Sequence, residues 1–145
     1  MTVTTHQKSI ETVGYDICSP ISGSMLPMIR PHKDSVLFVP KVSRLSAGDV
    51  ALYKSGSFNV MHRVNKVLSD GYYMRGDNCS TGEIIREEQV YGVMRGFYRN
   101  EKYISKDNIA YRIYRKIWVG LNPLLAPAKK IRNRVLSFFR RGKKK

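Results

Sequence analysis

Three polar side chains stand in surroundings that suit hydrolytic chemistry: Ser24 in the Gly-containing turn "SGSMLP", His62 within the strand-like run "VMHRV", and Asp77 after Gly76 in "RGDN". A serine hydroxyl becomes a nucleophile at neutral pH only when a base takes its proton, and histidine is the side chain whose ordinary pKa suits that task. An acid that accepts the second imidazole N–H fixes the ring's tautomer and orientation. The three residues lie in separate segments, so this chemistry needs a fold that gathers them. Most chains of this size contain a serine, a histidine and an acid that never meet, and the residue types alone do not carry the assignment.

The segments that must do the gathering read as β structure. From about residue 15 to 105 the chain alternates short apolar runs with turn chemistry. "SVLFVP" (35–40), "DVALYK" (49–54), "NVMHRVNKVL" (59–68), "QVYGVMRGFYRN" (89–100) and "KYIS" (102–105) are rich in β-branched and aromatic residues. Asp70-Gly71 marks a tight hairpin because both residues tolerate positive φ. Strands joined mostly by short turns predict a mainly β fold, a small antiparallel barrel or sandwich.

The period changes at Asp107. Ile109, Ile113 and Ile117 recur every four residues, with Asp107 available as a cap and Gly120 near the end, which predicts a helix of about three turns. A second amphipathic stretch after Pro127 sets Ile131, Val135, Phe138 and Phe139 against Lys130, Arg134 and Arg141, so one or two C-terminal helices are expected. The domain reading is a polar segment over 1–14, a β-rich body over 15–106 and a strongly basic helical segment over 107–145.

The 145 residues suffice for one domain with a modest core, and the 42% hydrophobic content excludes disorder for most of the chain. The net charge of +15 is concentrated in the tail: residues 1–98 hold 11 Lys and Arg against 9 Asp and Glu, and residues 99–145 hold 15 against 2. A near-neutral body with a cationic end predicts contact with an anionic surface.

At this point four short motifs resemble one known family. "SGSMLP" (22–27) is similar to the nucleophile box of the type I signal peptidases, where a methionine follows the serine and a proline stands two residues further on. "GDV" (48–50) resembles their next box, "HRV" (62–64) their general-base box and "RGDN" (75–78) their acidic box. All four come in the family's order and with similar spacing over roughly residues 17–96. The histidine places the likeness with the endoplasmic-reticulum and archaeal branch, in which a histidine replaces the lysine base of the common bacterial enzymes.

The resemblance implies a β-rich fold of signal-peptidase type and an acyl-enzyme mechanism: Ser24 attacks the scissile carbonyl, His62 is the base, and the Ser24 backbone N–H with the Ser22 hydroxyl holds the oxyanion. It implies that Asp77 completes the triad, with Glu83, six positions later, as the alternative acid. It also implies a substrate extended against the strands before the nucleophile and before the base, with Ile17, Ser19, Ile21 and Val60 as contacts, and a preference for small side chains one and three residues before the cut.

Cys18 and Cys79 are the two cysteines; with no CxxC and no suitable His/Cys spacing they read as free thiols, and no metal or cofactor is expected. The N-terminus lacks the apolar run of a secretory signal or membrane span. The expected location is cytoplasmic, with the basic tail, Trp118, Phe138 and Phe139 attaching the protein peripherally to an anionic membrane. Two competing functions fit the same features: a repressor-like regulatory or nucleic-acid-binding module whose basic tail grips phosphate, and a catalytically inert scaffold.

Overall fold

The computed structural model describes residues 5–142, without the side chains of residues 122, 123, 125, 126 and 138–142. Eight strands form one antiparallel sheet: β1 (Asp16–Cys18), β2 (Ser35–Pro40), β3 (Val50–Ser55), β4 (Phe58–Val67), β5 (Gly71–Arg75), β6 (Glu83–Arg86), β7 (Val90–Arg99) and β8 (Lys102–Ser105). Helix α1 (Thr5–Val13) precedes the sheet and α2 (Ile109–Gly142) follows it. The strand order is β1-β2-β7-β3-β4-β5-β6, an open sheet, with β8 paired to the outer half of β7.

The long runs fold as their alternation predicts. Central strand β3 is buried on both faces: Val50 and Leu52 enter one core with Phe38, Met94 and Phe97, while Ala51 and Tyr53 enter a second with Val64, Tyr72 and Met74. Gly56 (φ 59°) opens the two-residue connection that pairs Ser55 with Phe58 and sets the β3/β4 register, with Ala51 opposite His62.

Two segments differ from their sequence reading. The polar N-terminal stretch folds into α1, which buries one side chain, Ile10, against Gly92 and is joined to β1 by His6 Nδ1 and Asp16 Oδ2 at 2.6 Å; Gly14 (φ 89°) ends the helix by donating its N–H to the Ile10 carbonyl. The C-terminal segment, expected as one or two helices, is one continuous helix that runs through Pro123 and Pro127, where the sequence placed a break. Contacts on both sides of the prolines bind it to the same loop, because Trp118 Nε1 (3.2 Å) and the Lys129 ammonium both donate to the Asp77 carbonyl. Its cap is Asn108, whose Oδ1 accepts the Ala110 N–H at 3.0 Å, not Asp107.

Candidate active site

Ser24 lies in the short 3-10 turn Gly23–Met25, which follows the extended residue Ser22. The next side chain, Met25, is fully buried in the first core and pins the turn, leaving Ser24 half-buried at the surface. From the other side the "RGDN" loop grips the turn: the Asn78 backbone N–H donates to the Ser24 carbonyl (2.8 Å) and its side-chain amide to the Gly23 carbonyl (3.0 Å). The Ser22 hydroxyl donates to Ser24 Oγ at 3.3 Å, so both hydroxyls of the motif converge.

His62 reaches the same place from β4. Gly76 is the shared neighbour. A Cβ on it would stand 2.5 Å from the Ser24 carbonyl oxygen and 3.1 Å from His62 Cδ2, which leaves at most about 5.6 Å between oxygen and ring carbon. The Cδ2 edge, which also carries Nε2, is therefore turned toward the serine's segment. Nδ1 lies 3.0 Å from the Tyr53 hydroxyl.

That hydroxyl decides the tautomer. Tyr53 donates its one proton to Glu83 Oε1 at 2.8 Å, and Glu83 Oε2 accepts from Ser55 Oγ at 2.9 Å. The tyrosine oxygen can then only accept from His62, which puts the imidazole proton on Nδ1 and the lone pair on Nε2. Burial lowers the His62 pKa below its ordinary value, against the opposing pull of the Glu83 and Asp77 charges, so the ring is neutral near pH 7. Burial, then the bond to Glu83, raises the Tyr53 pKa and keeps that hydroxyl protonated.

Asp77, the first-choice acid, is not behind the imidazole. Its carboxylate is fully buried and bonded by two arms of Arg63, 2.7 Å to Oδ1 and 2.8 Å to Oδ2, and by the Tyr114 hydroxyl at 2.9 Å. Arg63 also donates to the Gly48 carbonyl (2.8 Å) and the Tyr111 hydroxyl (3.1 Å). The reason is strand alternation: His62 and Arg63 are neighbours, so the histidine takes one face and the arginine the buried one, where it claims the nearest carboxylate. Asp77 thus joins the "GDV" turn, β4 and α2. Glu83, the alternative, is the carboxylate that communicates with His62, through Tyr53.

A cleft of about 580 Å³ opens beside these groups. Its walls include Ser19, Ile21, Ser22, Ser24, Val60 and His62. Ile17, expected among the substrate contacts, lines a separate hollow with Tyr98 and Glu101, while its β1 neighbour Cys18, on the other face of the strand, lines the cleft. Two strand borders face the cleft. β1 is the terminal strand of the sheet, and the first half of β4 pairs only with β3, since β5 joins β4 from Arg63 onward.

No family model, curated protein or solved structure matches this chain. The cleft gathers a serine hydroxyl, an imidazole whose Nδ1 faces the Tyr53 hydroxyl, a carboxylate joined to it through that hydroxyl, and the borders of two strands. Among the described residues no group of three or more His, Cys, Asp or Glu is placed to hold a metal ion. The sequence reading missed Tyr53 and Arg63. Tyr53 could have been found from the hairpin register, since Ala51 opposite His62 puts Tyr53 two residues along on the imidazole's own face.

Proposed function

We propose that the protein is a serine endopeptidase of signal-peptidase type that removes a leader or pro-segment from a peptide or protein precursor. The observation that supports this best is that Ser24 and His62 line one cleft, with the Ser24 carbonyl oxygen and His62 Cδ2 both bordering Gly76 and Nδ1 already committed to Tyr53. The four ordered motifs support the same reading.

In the first step His62 Nε2 takes the Ser24 hydroxyl proton as Oγ attacks the scissile carbonyl. The oxyanion forms within reach of the Ser24 N–H and the Ser22 hydroxyl, which turns from Ser24 Oγ to the new charge. His62 then returns its proton to the leaving amine, giving an acyl-enzyme and the free C-terminal product. In the second step water loses a proton to His62, attacks the ester carbonyl and regenerates Ser24 while releasing the acid. The imidazolium of each half-reaction is met by the Tyr53 oxygen and, behind it, the Glu83 charge. A substrate drawn out along β1 and the first half of β4 would add a strand between them.

The test is to incubate the full chain with leader-bearing precursor peptides and identify fragments by mass spectrometry. Ser24→Ala and His62→Gln should each abolish cleavage at sites cut by the wild type. Equal cleavage by Ser24→Ala overturns the assignment, and a wild type inert toward every such precursor favours the scaffold reading.

A further inference from the structure

The two sides of α2 have different fates. Its inner side is used by the fold: Tyr111 is in the first core, Tyr114 bonds Asp77, Trp118 and Lys129 hold the Asp77 carbonyl, and Arg132 donates to Asn78 Oδ1 at 2.9 Å. At 100° per residue these side chains fall within a third of the circumference. Six of the other large apolar residues form a second arc of similar width, while Leu121 and Leu136 fall outside it. Ile109, Ile113, Ile117, Leu124, Ile131 and Val135 lie there, 48–74% exposed, over roughly 40 Å of helix. Trp118, expected on this apolar side, belongs to the inner one; Phe138, Phe139 and Arg141 lie outside the described side chains.

The charge around this stripe is one-sided. From Ile109 to Gly142 there are nine Lys and Arg and no Asp or Glu. Arg112, Lys116, Lys130 and Arg134 are exposed and flank the stripe along one border. Two copies packed stripe to stripe would bring acid-free, cationic borders together. A nucleic acid would satisfy the cations but leave the apolar arc in water. An anionic bilayer meets both demands, taking the arc among its acyl chains and the cations at its phosphates. No helix among the described residues is long and apolar enough to cross a membrane, so this geometry is that of a helix lying in the interface.

We propose that the outer stripe of α2 docks the protein on an anionic lipid bilayer, in the plane of the headgroups. Through Arg132 and Asn78 the same helix touches the turn that carries Ser24, so docking sets the cleft beside the membrane. The inference does not depend on the peptidase reading.

The experiment is co-sedimentation of the full chain with vesicles of phosphatidylcholine alone or with about a third phosphatidylglycerol, across a salt series. Wild type should pellet with the anionic vesicles, more weakly as salt rises, and stay in solution with the neutral ones. Ile113→Asp with Ile117→Asp should cut partitioning on the order of 100-fold. Lys116→Gln, Lys130→Gln and Arg134→Gln together should do the same, at roughly five-fold per cation, and this second variant covers the case in which the first misfolds. Both should cleave a short soluble peptide as wild type does, which separates this inference from the fate of Ser24. Wild type that ignores anionic vesicles overturns it. So does tight binding to duplex DNA without vesicle binding, or apolar-stripe variants that alter oligomeric state in sedimentation equilibrium while vesicle binding is unchanged.

Discussion

Replacing Tyr53 by phenylalanine isolates the relay, because the ring stays in the second core while only the hydroxyl between His62 Nδ1 (3.0 Å) and Glu83 Oε1 (2.8 Å) is lost. In the resting protein the imidazole bond is neutral and worth about 0.5–1.5 kcal/mol; under the proposed reading, once Nε2 has taken the serine proton, the donor is cationic and the same bond is worth about 1.5–3 kcal/mol. The difference, about 1–2 kcal/mol, is felt only in the transition state and amounts to roughly 5- to 30-fold in kcat. An unpaired Nδ1–H also lets the Nε2–H tautomer compete, which removes the base from part of the population, so the expected total loss is about 10- to 100-fold. KM should hold, since Tyr53 is fully buried and does not line the cleft. Peptide cleavage gives kcat and KM, and 15N shifts of the His62 ring give the tautomer without any substrate. A variant with kcat within two-fold of wild type, or with its ring still wholly in the Nδ1–H form, refutes the relay.

Three further perturbations discriminate among the acids and the scaffold. Glu83→Gln removes a charge that raises the His62 pKa against burial, so that pKa should fall further and the acid limb of kcat/KM move to lower pH, with kcat reduced; a limb that moves to higher pH would contradict the assignment. Asp77→Asn should act on stability, costing about 3–5 kcal/mol in denaturant unfolding because Arg63 is left buried without its partner, and a catalytic loss with unchanged stability would restore Asp77 as the catalytic acid. Gly76→Ala forces a Cβ to within 2.5 Å of the Ser24 carbonyl and 2.8 Å of Cys79 Sγ; kcat should drop at least tenfold with Met25 still in place, and an unimpaired variant would show that Ser24 and His62 do not meet over this glycine.

The long strands were legible because each carries enough alternating residues to declare its buried face, and β2 falls on the residues the pattern marked. The four-residue β8 was marked by its aromatic and β-branched content, whereas β1 has three residues, β6 sets the adjacent pair Ile84-Ile85 between charges, and α1 hides because Ile10 is the only residue it buries. In the candidate site, local context singles out Ser24, Ser22 and His62, and the fold places all three along one cleft. Which carboxylate communicates with His62 was not readable, because it depends on which face of β4 the "RGDN" loop crosses. Asp77 has the better sequence context, yet Arg63 reaches it first, and Glu83 is set by the β5/β6 register, in which Met74 stands opposite it. Trp118 shows the same limit for helices: periodicity separates two sides of α2 but does not say which one the body claims.

The slot between β1 and the first half of β4 also limits what can enter it. Its two walls are ladder edges, and a guest can satisfy both only by lying flat and straight over several consecutive peptide units. A helix or a compact domain has its own amides already engaged and offers neither edge a free ladder. Under the proposed reading, selection then begins before any side chain is inspected: only a client that is slack around its cut site, such as a tail not yet folded, is admitted.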